Sequence, residues 1–189
     1  MPCSNHPRKE CPVRIEVASR RRKVQRPDAV VVDVTSRGPE PWVRFSPFYP
    51  HGGIPVPMSP GVVSESVEGV WQALKVFAES DVDASKLTVR TMKGLKRTVR
   101  RFGPVRGHRA GLHGTSLLDY RTARHEIYLP TYRWVLEHRV AGLVAELRAL
   151  AESAPVVLLD YTTNGDADDL STPLSHAALV ADHLRRHVN

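Results

Sequence analysis

The stretch that decides the fold is SVEGVWQALK, residues 66–75. Ser64 or Ser66 can cap a helix, and the apolar residues that follow recur at helical spacing, which predicts a helix that runs to about Ser80. Its buried stripe consists of Val67, Val70, Leu74 and Phe77. A second stripe, at spacing i, i+3, i+4 and i+7, consists of Glu68, Trp71, Gln72 and Lys75.

This second stripe indicates a pocket. A solvated helix face rarely includes a tryptophan, so Trp71 either packs under a loop or lines a pocket with its three polar neighbours. Just upstream, residues 46–53 read SPFYPHGG, an aromatic loop whose prolines limit its freedom. Loops of this kind carry function more often than they pack a core. We therefore expect the loop 46–49 to close over a cleft lined by the second stripe.

Outward from this helix, the chain mixes short strands with more numerous helices. Strands are predicted from apolar and β-branched runs at residues 29–34, 42–45 and 156–161, the first and last of them buried. Helices are predicted at residues 83–102 in one or two pieces, 116–125, 130–153 and 174–187. The expected fold class is α+β, a single mainly helical domain with a few buried strands.

Charge is unevenly distributed along the 189 residues. Residues 1–27 contain eight basic and two acidic residues, so they carry +6 of the formal net charge of +7. They show no sustained periodicity, and we expect a flexible basic tail followed by a domain over residues 28–189. Residues 86–109 hold nine basic residues and no acidic one. This segment either attracts phosphates or is the solvated face of a helix.

Several classes of protein are excluded by what the sequence lacks. No apolar run approaches the ~18 residues of a membrane span, and the N-terminus has no apolar core of a secretory signal, so a cytoplasmic protein without membrane contact is expected. Cys3 and Cys11 are too few for a tetrahedral zinc site, and the acidic loop 166–169 lacks the glycine and terminal glutamate of a calcium-binding EF-hand. No metal is expected.

Two of these segments resemble a known family. The loop FSPFYP, residues 45–50, and the helix 66–75 are similar to the aromatic "SNFYP" loop and the "SxEHxxQAxK" helix of the NADAR superfamily, the YbiA-like proteins. The layout that follows is also similar: a basic segment, a long helix, a strand that ends in a carboxylate, a polar loop and a terminal helix. Two features depart from the family pattern, because Gly69 replaces its usual histidine and residues 160–166 contain no Trp-Gly pair.

The resemblance implies a NADAR-like fold and N-glycosidase activity on ADP-ribose-like or ribosylated-base substrates. These include phosphorylated intermediates of riboflavin synthesis and ADP-ribosyl groups on guanine. In that family the motif glutamate acts in the cleavage and the motif lysine holds the substrate, so Glu68 and Lys75 inherit these roles. Cleavage builds oxocarbenium-like charge on the ribose, which a carboxylate stabilises while a carboxyl group positions or deprotonates water. The second carboxylate is expected from Asp160 or Asp166.

The remaining site residues are expected to hold phosphate oxygens or to stack on a base. The substrate-binding candidates are Ser46, Phe48, Tyr49, Trp71, Gln72, Lys75, Lys93, Lys96, Arg97 and Asn164. No cofactor is required by this chemistry. The alternative is a non-catalytic nucleotide-binding or nucleic-acid-binding module on the same fold, with DNA or RNA gripped by the basic tail. In that case Glu68 would only stabilise its helix, by ~0.3–1 kcal/mol, through the interaction of its charge with the helix dipole.

Overall fold

Short strands alternate with helices throughout residues 14–186, the part of the chain that the computed structural model describes. The strands are β1 (Ile15–Ser19), β2 (Val30–Asp33), β3 (Ile54–Pro55), β4 (Val63–Ser64), β5 (Lys75–Phe77), β6 (Val105–Arg109), β7 (Leu117–Leu118) and β8 (Val156–Asp160). The α-helices are α1 (Val67–Leu74), α2 (Val99–Phe102), α3 (Tyr120–Ala123), α4 (Leu129–His138), α5 (Ala141–Ser153) and α6 (His176–Arg186). The elements form one α+β domain, which confirms the predicted class.

Within residues 14–186 the strands form three sheets: a parallel sheet in the order β1-β8-β2, which borders the site, an antiparallel sheet in the order β5-β6-β7, and the antiparallel pair β3-β4. Leu158 of β8, the central strand of the parallel sheet, lies opposite Val17 on one side and Val32 on the other. Because β8 is covered by a strand at each edge and by packed elements on its face, four of its five residues are buried. The hydrophobic run 156–161 therefore predicted its strand correctly. All three strands of the parallel sheet run in the same direction, so their carboxyl ends lie at the same end of the sheet.

The prediction of a flexible tail over residues 1–27 is wrong for the part that the structure describes. Residues 15–19 form β1, and Ile15 is 5% exposed within the main apolar cluster. Arg26, which follows β1, forms ion pairs with Glu16 and Asp28. The sequence signal for β1 was weak because this edge strand has only five residues, so its alternation of apolar and polar residues is short, and charged residues flank it. Residues 1–13 lie outside the described residues.

Several predicted elements end or fold differently from expectation. The segment predicted as helical at 83–102 is not helical over residues 89–98, and the helix predicted at 116–125 is preceded by β7 and begins only at Tyr120. Residues 42–45 form a turn of 3-10 helix instead of a strand. The helix predicted to reach Ser80 stops at Leu74, because Lys75 takes extended geometry and begins β5, which pairs with β6. The long helix predicted over 130–153 is two helices, α4 and α5, that are separated at residues 139–140. In β2, Val30 and Val31 are exposed because β2 lies at the sheet edge.

Two apolar clusters stabilise the domain. The larger one joins β1, β2 and β8 to α4, α5 and α6, and the smaller one surrounds α1. Tyr128, in the single turn of π-helix at Arg124–Tyr128, packs against both clusters. Within residues 14–186 no helix is both long and apolar enough to cross a membrane.

Candidate functional site

A cavity of about 640 Å³ lies beside Tyr128, where α1 faces the carboxyl edge of the parallel sheet. Nine of the sequence-predicted site residues line it, namely Ser46, Phe48, Glu68, Trp71, Gln72, Lys75, Lys96, Arg97 and Asp160. The other lining residues are Arg21, Ser36, Pro47, Tyr120, Arg124, Tyr128, Tyr161, Thr162, Pro173, Leu174 and His176. The expected cleft between α1 and the aromatic loop is therefore present, although Tyr49 does not line it.

The position of Glu68 follows from how α1 begins. Ser66 caps the helix by accepting a hydrogen bond from the Gly69 amide at 3.0 Å, as its sequence pattern predicted. The Glu68 amide donates to the Pro47 carbonyl at 2.8 Å, which ties the first turn of α1 to the aromatic loop. All eight residues of α1 are buried. The helix is therefore a fixed wall, and Glu68 is held in it with 8% of its surface exposed.

The carboxylate of Glu68 is only half satisfied by protein groups. Gln72 Nε2 donates to Glu68 Oε1 at 2.8 Å, and among residues 14–186 no hydrogen bond reaches Oε2. Burial raises the pKa of Glu68 above its usual value, although the hydrogen bond from Gln72 and the charges of Lys75 and Lys96 oppose the shift. Glu68 is thus a carboxyl group that can hold a proton at a higher pH than an exposed glutamate.

Two lysines contribute positive charge near Glu68. Lys75 Nζ lies 5.8 Å from the ring centroid of Trp71, and Lys96 Nζ lies 5.4 Å from that of Phe48. Burial lowers the pKa of Lys75, while the carboxylate of Glu68 acts in the opposite direction. Both ammonium groups face the cavity beside an aromatic ring, an arrangement suited to an anion attached to a planar base.

Trp71 is fixed by a cluster of aromatic rings. The His108 ring lies 3.8 Å from it, centroid to centroid. The rings of Tyr120 and Tyr128 meet it edge to face, with centroid distances of 5.8 and 5.6 Å. His108 is fully buried, and neither of its ring nitrogens has a hydrogen-bond partner within the described chain. Burial, reinforced by the charge of Lys75, lowers the pKa of His108 to about 3, so its ring is neutral behind Trp71.

Asp160, at the end of β8, is held by protein donors at both oxygens. Its Oδ2 accepts from Ser175 Oγ at 2.8 Å and lies 2.9 Å from His176 Nδ1, while Oδ1 accepts from the Tyr161 amide at 2.7 Å. Burial alone would raise the pKa of Asp160, but these hydrogen bonds and the attraction of His176 hold it below its usual value. Asp160 is therefore an ionised carboxylate fixed in the cavity wall.

His176, at the start of α6, bridges two acceptors. Its Nδ1 faces Asp160, and its Nε2 lies 2.9 Å from the carbonyl oxygen of Val34. These two contacts fix the His176 ring in the cavity wall, next to Asp160.

Two buried arginines in the wall are occupied by structural contacts. Arg97 donates to the carbonyls of Gln72, Lys75 and Asp81 and to Ser80 Oγ, at 2.6–3.1 Å. Arg124 donates to the carbonyls of Ala167, Asp169 and Thr172, at 2.7–3.2 Å. Arg97 was predicted to hold phosphate. Its donors instead join α1 and β5 to the loop that follows β5, while Arg124 clamps the loop between β8 and α6.

A family model described as a family of unknown function (DUF6939) matches residues 16–180. The chain belongs to this family. No curated protein and no solved structure matches the chain. The DUF6939 match begins inside β1 and reaches into α6, so it includes both edges of the parallel sheet and every wall of the cavity.

Four predicted site residues of this DUF6939 chain lie outside the cavity lining. The Tyr49 ring packs on His51, and Lys93 is exposed near the turn at Thr91. Asn164 donates to the carbonyls of Asp169 and Thr172, and its Oδ1 accepts from the Asp166 amide. Asp166 lines a different cavity of about 570 Å³ between α4 and α6. Asn164 therefore shapes the loop that carries Asp166 away from Glu68.

Sequence reasoning missed several residues that line the cavity, chiefly Arg21, Tyr128, Arg124 and His176. Arg21 was assigned to the tail, and none of the other three was among the predicted site residues. The aspartate at the end of the predicted strand 156–161 was a usable signal for this region, because ligands bind outside the carboxyl ends of parallel strands, where the following helix also begins. Within residues 14–186 no group of three acidic, histidine or cysteine residues could hold a metal ion.

Gly69 lies at a position of α1 where the structure leaves no room for a side chain. A Cβ atom there would lie 2.7 Å from Ser64 Oγ and 2.8 Å from the carbonyl oxygen of Lys86. The backbone of the 3-10 turn at Ala84–Thr88 therefore fills the space that a side chain would need. A histidine could not occupy this position without a movement of α1 or of that turn.

Proposed function

We propose that the protein is an N-glycosidase that hydrolyses the N-glycosidic bond of a phosphorylated ribosyl compound, such as an ADP-ribose-like or ribosylated-base substrate. The observation that carries this proposal is the pair of carboxyl groups in one cavity with opposite pKa shifts. Burial raises the pKa of Glu68, whereas hydrogen bonds lower that of Asp160. When the pKa values of two neighbouring carboxyl groups shift in opposite directions, one group can take up and release a proton near neutral pH while the other stays ionised.

The two carboxyl groups would divide the reaction between them. The bond between the ribose carbon C1′ and the base nitrogen breaks, and the oxocarbenium-like charge on the ribose is stabilised through space by Asp160. Glu68 positions a water through its open Oε2 and accepts the proton as the water oxygen bonds to C1′. Glu68 then passes this proton to the departing base nitrogen, directly or through water, so the overall reaction adds one water across the bond and returns Glu68 to its starting state.

The remaining walls suit the rest of such a substrate. Phe48, Trp71 and Tyr120 present aromatic surface for the base, and stacking of this kind contributes ~1–3 kcal/mol per base. Lys75 and Lys96 are placed to hold phosphate oxygens through charge-assisted hydrogen bonds. Tyr128 lies near both carboxylates, which together with its burial raise the pKa of its hydroxyl. The Tyr128 hydroxyl would therefore remain protonated and act as a hydrogen-bond donor.

The test is to incubate the protein with three substrate classes and detect the released base by mass spectrometry. The substrates are ADP-ribosylated guanine in DNA, free ADP-ribose derivatives and aminopyrimidine ribosyl phosphates. Glu68→Gln is expected to lower turnover by ~10²-fold or more, the scale of general acid–base catalysis. At pH values above about 5, the melting temperature of this variant should equal or exceed that of the wild-type protein. The reason is that the substitution removes a carboxylate whose ionisation is opposed by burial.

Glu65→Gln is the matched control. Glu65 lies just before α1, accepts from Arg90 and does not line the cavity, so its charge change leaves turnover unaltered on this proposal. Equal rates for the wild-type protein and Glu68→Gln would reject the assignment of Glu68. Release of no base from any of the three substrate classes would reject the N-glycosidase proposal.

A second candidate function, polyanion binding without catalysis, is favoured by a different surface. Residues 84–118 contain no acidic residue. Lys93, Arg100 and Arg106 are exposed in this segment and have no acidic partner within the described chain. On this alternative, binding to single-stranded DNA would depend steeply on salt and would be weakened by Arg100→Ala combined with Arg106→Ala, whereas Glu68→Gln would leave it unchanged.

A further inference from the structure

The sheet edge that borders the cavity gathers residues from three distant parts of the chain. Arg21 follows β1, Ser36 follows β2, and Tyr161 and Thr162 follow β8, and all four line the cavity. Since the three strands are parallel, these residues sit beyond the carboxyl ends of neighbouring strands. In open sheets of this type, ligands bind in the crevice outside those ends.

Arg21 is the one residue of its arginine triplet that enters this cavity. Its neighbour Arg20 is fixed by an ion pair of 2.7 Å with Asp33, and the Arg20 amide donates to the Asp160 carbonyl at 2.7 Å. Arg22 lines a neighbouring cavity, which shares Tyr161 and Thr162 with this one, and its amide donates to the Ser19 carbonyl. The backbone on each side of Arg21 is therefore anchored, which directs its side chain toward the cavity.

The guanidinium of Arg21 has no protein acceptor among residues 14–186. Asp160 in the same wall is not its partner, because the Asp160 oxygens accept from Ser175 Oγ and from the Tyr161 amide. The hydroxyls of Ser36 and Thr162 likewise have no hydrogen-bond partner in the described chain and can rotate toward a ligand. An unpaired guanidinium with two free hydroxyls is the donor set of a phosphate site.

We propose that Arg21, with Ser36 and Thr162, forms an anion subsite that binds a phosphate or diphosphate group of the substrate. This subsite lies on the side of the cavity formed by the end of the parallel sheet, whereas Lys75 and Lys96 lie on the side that carries Glu68. The cavity therefore has a cation on the side of the sheet, Arg21, and further cations, Lys75 and Lys96, on the side of Glu68. This arrangement favours an elongated ligand that carries an anionic group away from the bond that is cleaved. The proposal rests on the proposed function for the identity of the substrate, while binding at the subsite requires no turnover.

The test measures binding of ADP-ribose and of inorganic pyrophosphate by calorimetry at low salt, with wild-type protein, Arg21→Ala and Arg22→Ala. Loss of a charge-assisted contact is expected to weaken binding of both probes about tenfold or more in Arg21→Ala. Arg22→Ala removes the same charge from the adjacent position and should change each Kd less than about twofold. Arg21→Lys should recover part of the affinity, because it restores the charge without the planar fork.

The outcomes separate this proposal from the proposed function. Equal weakening by Arg21→Ala and Arg22→Ala would overturn the subsite and indicate a general charge effect. Failure of both probes to bind the wild-type protein at millimolar concentration would also overturn it. Binding that depends on Arg21, found together with no release of base from any substrate, would support the subsite and reject the N-glycosidase activity.

Discussion

His108 is a residue whose burial works against stability. Its ring is enclosed behind Trp71 with two ring nitrogens unpaired in the described chain, and each unsatisfied buried polar group costs ~1–3 kcal/mol. An apolar ring of similar size would avoid that cost. In return, the neutral imidazole keeps Trp71 in place without adding a positive charge behind it.

Replacement of His108 by phenylalanine is expected to change how stability depends on pH. The folded-state pKa of His108 is about 3, below the unfolded value near 6.5, so stability is fully present above pH 6.5 and is lost as the pH falls toward 3. The slope is about 1.4 kcal/mol per pH unit. Urea unfolding at pH 6.5 and pH 5.0 should therefore show a smaller loss for His108→Phe than for the wild-type protein. Parallel losses would contradict the neutral, buried state of His108.

Periodicity predicted the site residues that share one element, whereas those on other elements were found through the aromatic loop, the basic segment and the family resemblance, or were missed. Glu68, Trp71, Gln72 and Lys75 were found because helical spacing places them on one face, and they do line one cavity. Arg21 could not be found in this way, because it reaches the cavity only through pairing of β1 with β8, which are far apart in sequence. The pairs that occupy Asp160 and Arg97 depend on the same long-range packing.

At the scale of elements, α1 was predicted with its correct start and the wrong end. The cap at Ser66 is local chemistry, whereas the end at Leu74 is imposed by pairing of β5 with β6. Apolar periodicity continues through Phe77, which is buried in β5 instead of in a helix. The boundary is therefore an effect of tertiary structure that no window of sequence reveals.

The close approach of α1 to the following 3-10 turn predicts opposite effects of two glycine substitutions. Gly69→Ala should lower the free energy of unfolding by ~1–3 kcal/mol, because its Cβ would lie 2.8 Å from the Lys86 carbonyl. Gly142→Ala, in α5, meets nothing within 4 Å and should raise it by ~0.5–1 kcal/mol. Urea denaturation of both variants measures the difference, and a stabilising Gly69→Ala would show that α1 has room to move.

At the scale of the whole molecule, the domain begins earlier than its charge pattern suggests. Ile15→Ala should lower the free energy of unfolding by ~2–4 kcal/mol, because Ile15 is buried in the main apolar cluster. Val31→Ala, on the other edge strand, changes a residue that is 46% exposed and should alter stability by no more than ~0.5 kcal/mol. Chemical denaturation compares the two. Equal, small effects would mean that β1 contributes no packing.

The position of β8 between β1 and β2 also has a consequence for the order in which the protein can fold during synthesis. The two N-terminal strands do not pair with each other, and about 120 residues separate the end of β2 from the start of their common partner. At translation rates of ~5–20 residues per second, both strands wait on the order of ten seconds before the ribosome has made that partner. Exposed Val30 and Val31 are then open to pairing with other nascent chains, and the arginines around β1 would oppose such association by charge repulsion.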